Sequence, residues 1–519
     1  MHIGGTSSPR KGSTLRCWTG PLRCIGLIWH LTDQCPPPST RTFDKLLDRS
    51  CDKAPGPDGI PHSAWRAMLD AAKHFLLLTF EICQGFKPSL AYNAIWSWYP
   101  IKKPSPTDPL SGGVRLPKDL RPISGINCDA KLVTSGLMVP VAEQLHYKVD
   151  TSQRGFVRHR RLEANIISAD STSRMYAMED DSSAPAMLAL DYGSAFSSMA
   201  HPFIYKVLSS AGLPIGLQTA MLTMLQFIGA HHTSSEAALH EDPIGQGFTS
   251  PAFWHSSGIR QGCPSSGWVW AVASHVLLKM LRSVLDQVNR GEVYACADDL
   301  LIIVRALKHL AAVSHVLETF RQGSGLSLLL AKCCLVPLWD YVHDARLREN
   351  WIRKALRKWT VQLGEIPIAS CTPYLGTVVG PGATLDDIWQ GVVRKWHTRL
   401  QAIAGEGGSI LIRMHAYSSR VHSLLPYLCQ LYSLPMHMRK EEMRALAVIL
   451  KWPHGTLARQ NAHHLDKWGG RNLRTLGQIN AISLMRASGA FDWAPELSKL
   501  RSLAVDRLSS RLGSSKAGC

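Results

Sequence analysis

The chain has 519 residues, enough for roughly two to four folded units around a large core, and 57 Lys plus Arg against 39 Asp plus Glu leave a formal charge of +18. A balance this basic favours a polyanionic partner such as nucleic acid, although membranes and acidic proteins also attract basic chains. Thirteen cysteines without any Cys-x-x-Cys spacing argue against a secreted disulfide scaffold and a zinc knuckle, and no apolar run approaches the roughly 20 residues of a membrane span.

In chain order, residues 1–40 read as a loosely ordered leader. Arg10, Lys11, Arg16 and Arg23 precede an apolar patch from Ile25 to Trp29, but no cleavage-site pattern follows it. The proline run after Cys35 marks a boundary, and Pro104 to Lys118 reads as a long loop between Lys102-Lys103 and Arg121. Arg154, Arg158, Arg160 and Arg161, interleaved with Phe156 and His159, form a basic and aromatic cluster of the kind that grips phosphates. The pairs His231-His232 and His463-His464 lack companion cysteines and read as polar surface groups. The stretch from Gly267 to Leu281 contains His275 and Lys279 and reads as a buried helix.

Two segments carry chemistry. Met187 to Leu190 reads as a buried strand ending at Asp191, with a helix to follow around His201 to Ala211. Later, Val293 to Ala297 and Leu300 to Val304 read as two apolar strands with Asp298 and Asp299 at a tight turn between them. Adjacent carboxylates wedged between apolar runs repel each other unless a cation lies against them. Hard oxygen donors suit Mg²⁺ or Mn²⁺, and carboxylates from two strands could hold a pair of ions; a solvated Asp-Asp turn is the plain alternative.

Towards the C-terminus, Thr384 and Asp387 form a capping-box-like helix start. Ile388, Val392, Trp396, Leu400 and Ile403 then recur at helical spacing, while Arg394, Lys395 and Arg399 point elsewhere, as suits a helix lying along a duplex or a plain solvated face. Ile410, Met414, Tyr417, Val421, Leu424 and Leu428 predict a partner helix in a small bundle.

Taken together, the segments resemble the reverse transcriptase domain of non-LTR retrotransposons. The likeness runs in order through Lys53-Ala54-Pro55-Gly56-Pro57-Asp58-Gly59, Leu120-Arg121-Pro122-Ile123-Ser124 and Gln153-Arg154-Gly155-Phe156. It continues through Leu190-Asp191 with Ala195-Phe196, then Gly258-Ile259-Arg260-Gln261-Gly262 and Ala297-Asp298-Asp299. Gly325-Leu326-Ser327 with Lys332 and then Tyr374-Leu375-Gly376 complete the series, and a fainter likeness falls at Gly469 to Leu473.

The resemblance implies an α+β right-hand polymerase, with fingers over 41–184, a palm built on an antiparallel sheet over 185–380, a helical thumb over 381–455 and a helical extension over 456–519. It implies an enzyme that extends a DNA primer on an RNA template with dNTPs, with Asp191, Asp298 and Asp299 catalytic and holding two Mg²⁺ ions, Mn²⁺ being possible. Arg121 and Lys102 or Lys103 would hold the triphosphate, Phe196 would face the sugar and exclude a 2′-hydroxyl, and Gln261 and Gly262 would lie by the nucleotide. Lys332 would meet the leaving pyrophosphate, Tyr374-Leu375-Gly376 would support the primer, and a nuclear location would be expected.

Cys296, Ser197 and Leu329 depart from the usual Tyr, Asp and Asn of the family, and none is a metal ligand. These departures keep open a catalytically silent RNA-binding remnant. A group II intron-type maturase or an RNA-templated RNA polymerase is a further alternative, weakened by the absence of a recognisable maturase tail and by Phe196 respectively. With little chain before Lys53, either a fragment or a stripped-down polymerase is expected.

Overall fold

Residues 29, 35–86, 92, 95–100, 120–179, 184–226, 230–232, 257–286, 289–339, 345–360, 363–451 and 473–488 of the computed structural model are described here. They give a mixed α+β architecture with three sheets. In the first, β1 (Ile95–Trp98) pairs antiparallel with β2 (Ile123–Ile126) and parallel with β4 (Ala230–His232). Between them in sequence lies β3 (Ala186–Leu190), which belongs to the second sheet with β5 (Gly291–Cys296), β6 (Asp299–Val304) and β7 (Cys334–Pro337). That sheet has the order β5-β6-β3-β7 and is antiparallel throughout. A hairpin of β8 (Thr372–Tyr374) and β9 (Thr377–Val379) forms the third.

The four-stranded sheet is covered on both faces, which is why its strands read as continuous apolar runs instead of alternating. Leu188 and Leu190 of β3 join Val293, Leu300 and Ile302 in the main core, on the side of helices Ser266–Leu285 and Leu310–Ser324. Met187 and Ala189 turn the other way, to Tyr294, Leu301 and Ile303 and to Ile166 and Ala169 of helix Leu162–Glu179. Helix Ser266–Leu285 is long and apolar enough to cross a membrane by composition, but Trp268, Trp270, Val272 and Leu281 are buried in the protein, as expected for a core helix. Trp29 and Cys35, inside the stretch expected to be loose, are buried in the same core, and Trp29 meets His275 edge-on at 5.0 Å. The long loop expected over 104–118 lies outside the described residues.

The C-terminal helices have their own core. Helix Leu385–Gly405 starts with the expected capping box: the Asp387 N–H donates to Thr384 Oγ1 (3.2 Å), and Asp387 Oδ2 accepts from the Thr384 N–H (3.0 Å). Trp396, Leu400 and Ile403 are buried as the spacing predicts, and so is Trp389, two turns before Trp396 on the same face. Truncating a tryptophan as enclosed as Trp389 or Trp396 typically destabilises by about 3–5 kcal/mol. The second series differs from the single helix expected. It runs as helix Ile410–Ala416, a π turn over Tyr417–Val421, a short 3₁₀ turn and then helix Pro426–Cys429. Pro426 cannot donate to a continuing helical ladder; Tyr417 and Val421, at the two ends of the π turn, are buried, while Ile410 is exposed. Helices Met436–Leu450 and Leu476–Ser488 complete this bundle.

Candidate active site

The carboxylates meet because of strand register. Cys296 pairs with Asp299 across β5 and β6, leaving Ala297 and Asp298 as a two-residue turn, and Leu190 pairs with Leu300 across β3 and β6. Asp191, one residue beyond Leu190, therefore emerges beside Asp299 and the turn. Its backbone is fixed there: the Leu329 N–H donates to the Asp191 carbonyl (2.9 Å) and the Gly193 N–H to Ser327 (3.0 Å).

Their electrostatics follow from that crowding. Burial is the main reason that the Asp298 carboxyl is shifted up, with Asp191 adding to it while Arg121 and Lys332 oppose it. Burial, then Asp298, then Asp191 push Asp299 up to about 6. A site that makes its own carboxylates this reluctant to ionise favours a cation that restores the charge. Lys332 supplies part of it, with Nζ 3.6 Å from Asp191 Oδ2. Burial, with Asp299 and Asp298 behind it, pushes the Cys296 thiol up to about 11, so it stays neutral at physiological pH and offers no thiolate. Among the described residues no three His, Cys, Asp or Glu side chains form a ready-made metal cage. The donor set here is open and all carboxylate, which fits Mg²⁺, an ion that keeps several of its waters.

A cleft of about 830 Å³ opens over Asp191, Asp298 and Asp299. Phe196 lines it from a short helix, Ala195–Ser198, with its ring stacked on Trp270 (4.9 Å, 25°) and edge-on to Phe156 (5.9 Å). Phe156 holds a left-handed backbone (φ 61°) and is 55% exposed, so it is cleft wall and not core. Gln261 and Gly262 lie on the cleft too, tied to β2 by a hydrogen bond from the Ser124 N–H to the Gln261 carbonyl (2.9 Å). Gly262 has φ 112°, and a β-carbon on it would stand 2.5 Å from the Ser124 carbonyl oxygen, so only glycine fits. Arg121, Arg158 and Lys332 supply positive charge to the same cleft, Arg121 and Arg158 from exposed positions.

Other expected contacts are placed differently. Arg160 is turned inward: its guanidinium donates to the carbonyls of Asp150, Gln153, His146 and Val149 at 2.5–2.8 Å, which leaves little for phosphate. Arg161 donates to Gln430 Oε1 (2.8 Å) and lies 3.6 Å from Glu163, so it ties the sheet region to the C-terminal bundle. Arg154 is half-buried, and its N–H donates to the Ala295 carbonyl. Tyr374 is 4% exposed and packs in the core under the sheet, and it does not line the cleft. Leu375 and Gly376 form the left-handed turn of the β8–β9 hairpin, with the Leu375 carbonyl accepting from the Tyr427 hydroxyl. Arg394, Lys395 and Arg399 are exposed, and Arg399 donates to the Arg420 carbonyl. Lys102, Lys103 and the stretch 469–472 lie outside the described residues.

Sequence reasoning passed over Gln153, Gly155, Asn165 and Trp270. Asn165 is fully buried and donates to the Ala295 carbonyl (2.8 Å), and Trp270 backs Phe196. Gln153 and Gly155 flank Arg154 in the chain, and neither carries a charge or a local pattern that marks its contact with Ala297.

With that geometry in place, comparison is decisive: residues 101–378 match the family described as reverse transcriptase (RNA-dependent DNA polymerase). The chain belongs to the reverse transcriptase family. Members of this family typically use a divalent metal and act on a nucleic-acid template and primer with dNTPs. The chain is also 24% identical, over 288 residues, to the Transposon TX1 uncharacterized 149 kDa protein of Xenopus laevis. That match takes in 54% of this chain and 20% of the frog protein, so the chain spans about a fifth of that relative's length.

Proposed function

We propose that this chain is an RNA-directed DNA polymerase of the non-LTR retrotransposon type, extending a primer 3′-hydroxyl with dNTPs. The observation that carries the reading is the convergence of Asp191, Asp298 and Asp299 at the floor of the cleft that Phe196, Gln261 and Arg121 line. In this reading 41–184 serve as fingers, 185–380 as palm, 381–455 as a thumb over the duplex and 456–519 as an extension beyond it. Two Mg²⁺ ions held by the three aspartates would make the primer 3′-hydroxyl more acidic and offset charge on the triphosphate.

The protein's own groups then do the rest. Arg121 neutralises phosphate charge at the cleft rim, and Lys332, beside Asp191, offers a second cation where pyrophosphate leaves. The Phe196 ring, clamped between Trp270 and Phe156, presents a fixed edge under the nucleotide sugar and collides with a 2′-hydroxyl. Gly262 lets backbone approach the nucleotide closely, and Gln261 beside it faces the template base. Template choice belongs to base pairing.

The alternative of a silent RNA-binding remnant rests on Cys296, Ser197 and Leu329. Leu329 acts through its backbone N–H on Asp191, a contact independent of its side chain, and Cys296 is a neutral neighbour of the carboxylates. These contacts support an intact floor. Primer extension by the purified chain on an RNA template, with dNTPs and with NTPs, tests the proposal. dNTP-dependent extension that Asp298→Asn abolishes is expected; binding of primer–template with no extension in either Mg²⁺ or Mn²⁺ would give the remnant reading the field.

A further inference from the structure

The turn that carries Asp298 has a residue ill suited to it. Ala297 stands at φ 58°, in the left-handed region, where a β-carbon is strained by roughly 1–2 kcal/mol. Only the first of the two turn residues has positive φ, as in a type II′ turn, where that position usually holds glycine. Something outside the hairpin has to hold it.

Gln153 meets that need. Its side chain is fully buried, and its Oε1 accepts from the N–H of Ala297 (2.9 Å) and of Gly155 (2.8 Å). Its Nε2 donates to the Ala297 carbonyl (3.2 Å) and to Ser274 Oγ (3.1 Å) on the core helix. Both backbone polar groups of the residue before Asp298 thus end on one amide, which is itself anchored to a rigid element. The surrounding backbone repeats the arrangement: the Ala295 N–H donates to Ser152 (3.0 Å) and the Arg154 N–H to Ala295 (2.8 Å), laying 152–154 along the free edge of β5. Gly155 permits the approach, since a β-carbon there would stand 2.2 Å from the Ala297 nitrogen.

We propose that Gln153 is a positioning residue of this site, whose amide sets the conformation of the Ala297–Asp298 turn and through it the direction of the Asp298 and Asp299 carboxylates. The inference deepens the polymerase reading and rests on it for its catalytic consequence. Only an amide completes the pattern. Glutamate can accept from the two N–H groups but has no proton for the Ala297 carbonyl, and leucine fills the space while satisfying neither.

Gln153→Leu and Gln153→Glu test it by two readouts. The first is amide hydrogen exchange in metal-free protein, where exchange over residues 297–299 should accelerate at least about tenfold while β3 and helix Ser266–Leu285 change less than about twofold. The second is steady-state extension, where kcat should fall at least about tenfold with primer–template affinity within about twofold. If the leucine variant does not fold, the glutamate variant, which keeps the bond from the Ala297 N–H but loses the one to its carbonyl, is read by exchange at residues 298–299 and by kcat. A uniform acceleration across the sheet, or a folded variant with exchange at 297–299 and kcat both near wild type, overturns the proposal. Should the wild type extend no primer, the polymerase reading fails by itself, and exchange at the turn alone decides whether Gln153 restrains it.

Discussion

Replacing Asp299 by Asn should stabilise the metal-free protein while removing primer extension. Burial and two neighbouring carboxylates push this group up to about 6 from 3.8, so the folded state binds its proton more tightly than the unfolded chain does. A gap of about two units at about 1.4 kcal/mol each caps the penalty of the ionised carboxyl near 3 kcal/mol. Asp299 opens onto the cleft, and solvent screening there reduces the figure to about 1–1.5 kcal/mol. The sign follows directly: below about pH 4 both states are protonated and the penalty is absent, it grows between about pH 4 and 6, and it is complete above about pH 7. Urea unfolding in EDTA at about pH 7.5 and again at about pH 4.5 measures it. The asparagine variant should be the more stable of the two proteins at the higher pH, and most of its advantage should vanish at the lower. A variant no more stable than wild type at about pH 7.5, or a gain that ignores pH, would refute the idea that burial and the neighbouring carboxylates disfavour the ionised form of Asp299 in metal-free protein.

Three further outcomes are expected. Phe196→Ala should lower the dNTP over NTP preference in kcat/KM by at least about tenfold and destabilise by about 1–2 kcal/mol, less than a fully buried phenylalanine because the ring is only half-buried; an unchanged preference in steady-state kinetics would remove the sugar gate. Arg160→Ala should destabilise by about 2–4 kcal/mol in urea unfolding by stranding four carbonyls, whereas Arg158→Ala should leave stability alone and reduce the salt slope of primer–template binding by about one; the reverse pattern would count against the placement of both. Gly262→Ala should raise the KM for dNTP several-fold with little change in primer–template affinity, because its β-carbon would push the Gln261 loop off Ser124, and an unaffected KM would mean that the loop gives way freely.

The hairpin, the strand ending at Asp191 and the capped helix from Leu385 were legible in the chain because each is written locally. An apolar run has a length, a capping box has a fixed offset, and two carboxylates between apolar strands leave few places to be. The broken path of 410–429 was not, because the spacing of Met414, Tyr417, Val421 and Leu428 is compatible with a continuous helix and carries no local mark of the π turn over Tyr417–Val421. Trp29 was missed for a similar reason: its partner His275 is distant in sequence, and no local pattern reports such a contact.

The four arginines of 154–161 show why a charge cluster underdetermines an interface. All four carry the same charge in sequence, yet Arg158 faces the cleft, Arg160 is consumed by four carbonyls and Arg161 reaches the C-terminal bundle. What separates them is the backbone between Gln153 and Arg160, which turns through left-handed residues at Phe156 and His159 and so points successive side chains in unrelated directions. The same segment holds the Gln153 amide against the Ala297 N–H and the Phe156 ring against Phe196. One short segment therefore braces both the carboxylate turn and the aromatic wall of the cleft, and its uncharged residues bear more directly on the geometry of the site than its arginines do.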